Sequence, residues 1–268
     1  MGKKPADGDR KYIPRSLRFC RGSEAFEVIW AKARVVYSLP MAYIGHREEI
    51  EVKLRVLNVA ALRRRLRQLR AREISPRTHE SNTLYDTPKK DLRRRGQLIR
   101  IRIEQQASHF AKVRPNENAA AVLTYKGPSR SSRGAVKARG RSTIRSHFKI
   151  KDEAEVSVAG GTQLSRILRA LGLRPAFRYE KFRTTYALPG IRGLKIELDE
   201  TPVGVYLELE GPISAIDRGA RLLGYARHDF IKETYGSLYL TECRRRGRKP
   251  GNMLFPPTKK LRERALFP

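Results

Sequence analysis

The sequence of 268 residues has little cysteine, no long apolar segment and few acidic residues, and each shortage excludes a class of protein. Its two cysteines, Cys20 and Cys243, lie near opposite ends, which is not the pattern of a disulfide framework or a cysteine metal cluster. The most apolar stretch, residues 25–39, is interrupted by three charged residues and is shorter than the roughly 18 residues of a membrane span. We therefore expect a chain without a membrane span, in a reducing, cytoplasmic compartment.

The shortage of acids leaves a large positive charge. The chain has 58 lysines and arginines against 27 acidic residues, a formal net charge of +31. Residues 1–40 hold +5 and residues 243–268 hold +8, so the middle of the chain carries +18. An excess of this size predicts a polyanionic partner, which could be nucleic acid, an acidic membrane surface or a phosphate-rich small molecule.

Composition divides the chain into three parts. Residues 1–40 are basic and turn-rich, and we expect a poorly ordered extension; the alternative is a short amphipathic helix at about 24–37 that packs on the domain. Met41 then marks the start of the folded domain and is a candidate initiator. The domain is predicted to cover residues 41–242, and residues 243–268 to form a basic tail that is disordered from Arg244.

Strict alternation of charged and apolar residues predicts strands along most of the domain. Each such segment places its charges on one face and its apolar side chains on the other. Helical spacing predicts helices at about 58–71, 161–172, 213–224 and 228–239, and a Ser-, Gly- and Arg-rich stretch at 129–146 predicts a mobile loop. The alternating segments are 47–56, 98–104, 121–127, 148–158, 177–188, 194–200 and 205–211.

The charged faces carry like charges in pairs. Residues two apart on a strand project in parallel, about 6–7 Å from each other, which suits two ligands on one charged object. If the sheet closes into an eight-stranded barrel with its apolar face under helices, the charged face lines a lumen. Acids bind a divalent metal through oxygen, and Arg and Lys bind phosphate, so this lumen suits a metal–triphosphate. The pairs are Glu49/Glu51, Arg100/Arg102, Lys181/Arg183 and Glu208/Glu210.

The order of short motifs resembles the CYTH domain family, also called triphosphate tunnel metalloenzymes. The first motif, EIEVK at 49–53, matches the family's E-x-E-x-K strand in full. The resemblance covers about residues 47–240 and rests on six further segments in the expected order: NTLYDTP with LIRIR, LTYKGP, EAE at 153–155, KFR at 181–183, LD at 198–199 and LELEG at 207–211. It implies an α+β fold, a closed eight-stranded antiparallel tunnel with flanking helices and a charged lumen.

The resemblance also implies a role for each matching residue. Glu49, Glu51 and Glu210 would bind Mg²⁺ or Mn²⁺, and Lys53 would contact the substrate or assist proton transfer. Further acids, Glu208, Asp199, Glu153 and Glu155, would support that metal or a second one. The phosphates would be held by Arg100, Arg102, Lys126, Lys181 and Arg183. Many members have an arginine before the middle acidic pair; here Lys149 or Lys151 stands there, and Lys151 is the predicted phosphate contact.

Three functions remain open at this level. Hydrolysis of an inorganic or organic triphosphate is favoured, because it needs only the groups that the sequence provides. A class IV adenylate cyclase, which converts ATP to cyclic AMP and pyrophosphate, also needs a nucleoside pocket. An RNA- or polyphosphate-binding module is the non-enzymatic alternative, although paired acids would repel such a ligand unless a metal intervenes. The sequence leaves open nucleic-acid binding through the basic tails, and it does not decide between a monomer and a homodimer.

Overall fold

The computed structural model describes residues 44–106, 120–129 and 147–256. The predictions for residues 1–40 and for residues 130–146 of the loop expected at 129–146 therefore lie outside the described residues. Eight strands occur in this part of the chain: β1 (Ile44–Val56), β2 (Arg72–Asp86), β3 (Leu98–Gln106), β4 (Ala121–Lys126), β5 (Lys149–Val158), β6 (Arg174–Ala187), β7 (Lys195–Thr201) and β8 (Gly204–Glu210).

The strands form one closed antiparallel barrel in the order β1-β5-β4-β3-β2-β6-β7-β8, with β8 returning to β1. The predicted α+β tunnel fold is confirmed. Five α-helices are described with it: α1 (Val59–Gln68), α2 (Asp91–Arg94), α3 (Gly161–Ala170), α4 (Ile213–Leu222) and α5 (Tyr235–Arg245). A 3₁₀ turn at Arg227–Asp229 separates α4 from α5, where the sequence predicted one helix at about 228–239.

The apolar core lies outside the barrel, between its outer face and the helices. Side chains such as Leu54, Leu207 and Leu209 point outward from β1 and β8 and are fully buried against α1 and α4. Each contributes about 1.5–3 kcal/mol by leaving water. A smaller cluster lies under α3, and a third involves α5. Because the apolar half of each strand faces outward, the polar half must face the lumen.

The segment after α5 packs on the barrel instead of leaving it. The backbone amide of Met253 donates to the carbonyl of Arg178 (2.9 Å), and the amide of Glu180 donates to the carbonyl of Met253 (2.9 Å). The Met253 side chain is fully buried among Tyr179, Tyr206 and Tyr235. The prediction of disorder from Arg244 is therefore wrong for residues 244–256, because hydrogen bonds to β6 and the buried methionine hold the segment; residues 257–268 lie outside the described residues.

One glycine of the predicted motifs has a clear backbone reason. Gly211 follows the last residue of β8 with φ of +145°, and a Cβ placed there would lie 2.3 Å from the carbonyl oxygen of Gly193. Any side chain at this position would push the β8 end away from the loop that leads into β7. Gly211 thus sets how closely these two segments approach beside the lumen.

Among the described residues, no helix is both long and apolar enough to cross a membrane.

Candidate functional site

Acidic side chains line one side of the lumen. On β1 and β8, Glu51 stands directly opposite Glu210 in register, and Lys53 stands opposite Glu208. On β7, Glu197 is the register partner of Glu208, so its side chain extends the same wall. Like charges at directly opposed positions are destabilising unless cations lie between them. The register of three adjacent strands thus brings together carboxylates from distant parts of the sequence.

Basic side chains occupy the strand across the ring. In an eight-stranded ring, β3 is four strands from β8, so Arg100 and Arg102 lie across the lumen from Glu208 and Glu210. Lys126 on β4 lies next to them. The cavity measures about 200 Å³, opens to solvent and is lined by eight basic and seven acidic residues. The predicted lumen is thus present, with acids concentrated on β1 and β8 and the two arginines of β3 across from them.

Within the cavity, the acids of the β1–β8 wall are paired with bases. The ammonium of Lys53 contacts Glu51 (3.0 Å) and Glu208 (2.9 Å). Lys126 binds Glu49 (2.6 Å) and Lys195 binds Glu210 (2.9 Å). Ion pairs buried in this way are retained only when their partners are well placed, because each charge has lost its water.

Arg183 is the centre of a second buried network. Its guanidinium donates from Nε to Asp199 Oδ1 (2.7 Å) and from Nη2 to Asp199 Oδ2 (2.6 Å). It also contacts Glu197 and Glu208. Asp199 accepts from Lys181 Nζ (2.9 Å) as well. With its oxygens engaged by these donors and its side chain fully buried, Asp199 supports the basic groups and is absent from the cavity lining.

Tyr235, at the start of α5, also contacts this network, from a helix outside the strands. Its hydroxyl donates to Asp199 Oδ2 (2.7 Å), and its ring lies 5.2 Å from the Lys53 ammonium and 5.3 Å from that of Lys181. Burial, followed by the charges of Asp199 and Glu208, raises the pKa of Tyr235 well above its ordinary value, so the phenol keeps its proton. Tyr235 therefore links the segment after β8 to the lumen.

In the ion pair of Glu51 and Lys53, the pKa of the acid is lowered and the pKa of the base is raised. Burial alone would raise the pKa of Glu51, but Lys149 and Lys53 outweigh it and hold that pKa well below its ordinary range. Burial alone would lower the pKa of Lys53, but Glu208 and Glu51 raise it far above the ordinary value, so Lys53 is a permanent cation. Burial, reinforced by Glu49, raises the pKa of Glu153 to about 7 although Lys126 opposes the shift.

Two buried donors in or beside the lumen lack a hydrogen-bond partner among the described residues. Arg100 donates from Nη2 to Thr124 Oγ1 (3.0 Å) and Glu155 Oε1 (3.2 Å), yet its Nε is unpaired. Asn82 Nδ2, on the neighbouring β2, is also unpaired. An unpaired buried donor costs about 1–3 kcal/mol, which an anionic ligand at this wall would recover.

Most predicted site residues lie where the motifs placed them. The predicted residues that line the cavity are Glu49, Glu51, Lys53, Arg100, Arg102, Lys126, Glu153, Glu155, Lys181, Arg183, Glu208 and Glu210. Lys151 does not line it: its ammonium donates to the carbonyl of Gly96 (3.1 Å), and burial with Lys149 and Lys126 lowers its pKa to about 8. Lys149, the other candidate, lines the cavity and contacts Glu51.

Sequence reasoning left out Lys195, Glu197 and Tyr235, which line the lumen, and Glu80, which contacts Arg102 and Lys181 beside it. Glu197 and Lys195 could have been predicted, because they share one face of β7 with Asp199 at every second position. Glu80 lies on β2, where the sequence indicated no alternating segment. Tyr235 reaches the lumen from a helix, and no strand pattern could have indicated it. Two aromatic side chains, Phe177 and Tyr179, also line the cavity.

Carboxylate oxygens are the ligands that Mg²⁺ and Mn²⁺ prefer, so the donor chemistry of the β1–β8 wall fits either ion. Glu51 and Glu210 are register partners, and Glu49 precedes Glu51 on the same face. Among the described residues, however, no three acidic, His or Cys side chains are gathered as metal ligands. Lysines occupy these carboxylates, so an ion would have to displace ammonium groups.

The fold and the site define a charged β-tunnel, and the chain belongs to the CYTH domain family, whose model matches residues 47–235. A solved protein from Vibrio parahaemolyticus, provisionally assigned as an adenylate cyclase, has 16% sequence identity and a TM-score of 0.55, with 72% of this chain and 98% of that one covered. The PH1819 protein of Pyrococcus horikoshii has 22% identity and a TM-score of 0.51, over 72% and 99% of the two chains. No curated protein matches the sequence significantly.

Proposed function

We propose that this protein is a divalent-metal-dependent enzyme that hydrolyses a triphosphate inside the tunnel. The supporting observation is the division of the lumen, with carboxylates on β1 and β8 and arginines across the ring on β3. A metal–triphosphate is the ligand class that presents cation and polyanion together. The proposal also agrees with membership of the CYTH family and with the adenylate cyclase assignment of the Vibrio protein, which likewise concerns a triphosphate.

Glu49, Glu51 and Glu210 are the residues that would hold the metal, with Glu208 and Glu153 beside them. A bound divalent ion would neutralise phosphate charge and lower the pKa of a bound water. Each lysine released from its carboxylate would then be free for a phosphate oxygen. The ion pairs of the lumen therefore keep both groups charged and in place until substrate binds.

The basic groups would position the phosphate chain. Arg100 and Arg102 line the cavity and offer planar forks that match two phosphate oxygens. Lys126 and Lys181 add point charges. Lys53 is a cation at every physiological pH, so it would stabilise developing negative charge and not act as a general base. Phosphoryl transfer requires mainly this positioning and charge stabilisation.

The test is release of phosphate from tripolyphosphate and from ATP by the purified full chain, with Mg²⁺ or Mn²⁺ and with EDTA. We expect metal-dependent turnover that falls at least about a hundredfold in Glu51→Gln, because a metal ligand is lost. Glu73→Gln, an exposed acid on β2, is the matched control and should retain full activity. Turnover that is unaffected by EDTA, or by Glu51→Gln, would refute the proposal.

A second candidate is adenylate cyclisation, which the lining of the cavity favours in one respect. Leu84, Leu98 and Phe177 line it together with Tyr179, and the Phe177 and Tyr179 rings are stacked at 6.0 Å between centroids. Such an apolar, aromatic wall could hold a nucleobase beside the phosphate groups. Cyclic AMP as the main product from ATP would make this the function.

A further inference from the structure

The charge of the chain and the charge of the tunnel are separate features. The cavity lining contributes a net +1, whereas the whole chain carries +31. Substrate binding in the tunnel therefore accounts for almost none of the excess. A function for that excess has to be sought on the outer surface.

One outer surface is dense in exposed arginines and has no exposed acid. Helix α1 buries Leu62 and Leu66 and carries no acidic residue. Its neighbour α4 has a single acid, Asp217, which is buried and bound by Arg227. Arg65 Nε joins the two helices by donating to the carbonyl of Leu222 (2.7 Å). The exposed arginines of this pair, which we call the arginine face, are Arg63, Arg64, Arg65, Arg67, Arg218 and Arg221.

The arginine face is uncompensated. None of its six guanidinium groups forms an ion pair with any acid in the part of the chain that the structure describes. Arg63 and Arg67 stand one turn apart, a like-charged spacing that destabilises an isolated helix. Glu73 is an acid at the edge of the face. Burial raises the pKa of Tyr186 most, Glu73 raises that pKa further and Arg63 lowers it, so Glu73 and Arg63 both lie near this tyrosine. A surface of this kind attracts an anion, because no acidic side chain among the described residues neutralises its arginines.

We propose that the arginine face binds the phosphodiester backbone of double-stranded nucleic acid, without reading sequence. Guanidinium forks match phosphate oxygens, and backbone neutralisation alone supports such binding. No aromatic side chain is exposed on the outward surfaces of α1 and α4, so the face offers nothing for unpaired bases to stack on.

The face lacks what other polyanionic partners require. Protein interfaces have an apolar core, and no large apolar side chain of α1 or α4 is exposed among these arginines. A membrane surface also needs apolar insertion. The exposed Leu57 precedes α1 and the exposed Ile74 follows it on β2, so neither belongs to the helices that carry the arginine face. Duplex nucleic acid requires only the charges that are present.

The test is fluorescence anisotropy of the full chain with a labelled DNA duplex of about 20 base pairs, from about 50 to 200 mM salt. The triple variant R63Q/R64Q/R67Q removes three contacts and keeps good helix-forming residues. We expect the slope of log K against log salt to become shallower by about 2.7, and affinity at 100 mM salt to fall roughly a hundredfold. The matched control is R93Q/R94Q/R95Q, which removes the same charge at the opposite end of β2.

Equal losses in the two triple variants would overturn the proposal, because they would mean that only total charge matters. Absence of duplex binding by the wild type, or binding to anionic vesicles in its place, would overturn it as well. Tighter binding to a single strand than to the duplex would do the same. If the glutamine variant fails to fold, R63K/R64K/R67K keeps the charge; it should retain the salt slope but lose affinity through loss of the forks.

Discussion

Arg183 provides the sharpest test of the buried network, because one guanidinium contacts several buried acids at once. It binds both oxygens of Asp199 and contacts Glu197 and Glu208, with Glu80 Oε1 at 3.6 Å from its Nε. The substitution Arg183→Met retains a long side chain but removes the charge and every donor. Its effect on folding can be measured in EDTA-treated protein without substrate.

Removing one partner of a buried ion pair typically costs about 3–5 kcal/mol, since an uncompensated charge is left behind. Asp199 keeps Lys181 and Tyr235 as donors, and Glu208 keeps Lys53. These remaining contacts place the expected loss near the lower limit, at about 3 kcal/mol. Burial raises the pKa of Glu208, and Lys53, Lys181 and Arg183 outweigh it, so without Arg183 this pKa is less depressed and the stability difference between variant and wild type should narrow as the pH falls.

Urea unfolding followed by circular dichroism, at about pH 7.5 and about pH 5, measures both effects. Arg183→Lys should fall between the wild type and Arg183→Met, because it keeps the charge but not the fork. Arg192→Met is the matched control, since Arg192 is exposed on the turn before β7, and it should change the free energy of unfolding by less than about 0.5 kcal/mol. A loss below about 1 kcal/mol in Arg183→Met would refute the buried network.

Three further outcomes are expected. The free energy of unfolding, measured with EDTA, should fall as pH rises from 4.5 to about 7, because folded Glu153 holds a proton that the unfolded chain has lost; Glu153→Gln should remove this slope. Met253→Ala should cost about 2–5 kcal/mol in urea unfolding, since it opens a cavity under the segment after α5. Tyr235→Phe should cost about 1.5–3 kcal/mol in the same assay, and Tyr239→Phe, whose hydroxyl only accepts from the exposed Gly251 amide, clearly less.

The strands and the lumen were predictable because alternation is a local property. For each lumen residue of β1, such as Glu49 and Glu51, the apolar residues on either side indicate which face of the strand it occupies. Partnership between strands was not predictable in this way. That Glu51 stands opposite Glu210 depends on barrel closure, and nothing within either segment encodes it.

Contacts made from outside the barrel escaped prediction for the same reason. Met253 and Tyr235 lie in segments without alternation, and their burial depends on where the chain crosses the barrel after β8. The balance of the lumen charges was also hidden. Glu51 was expected to serve as a metal ligand, yet it also neutralises the buried Lys53 and contacts Lys149. Its substitution therefore affects stability as well as activity, which is why glutamine, and not alanine, is the appropriate replacement.

From the sequence, binding of one metal–triphosphate could account for both the large positive charge and the acidic EIEVK strand. The structure shows that most of the positive charge lies outside the lumen. Inside the barrel, acids and bases nearly cancel, because charges that have left water must find partners within a few ångströms. On the outer face of α1, where water solvates each group, Arg63, Arg64 and Arg67 can remain unpaired at little cost. Net charge is thus a poor guide to the chemistry of a buried site and a direct guide to the exterior. Variants of the arginine face should consequently change polyanion binding while leaving tunnel turnover intact, whereas Glu51→Gln should do the reverse.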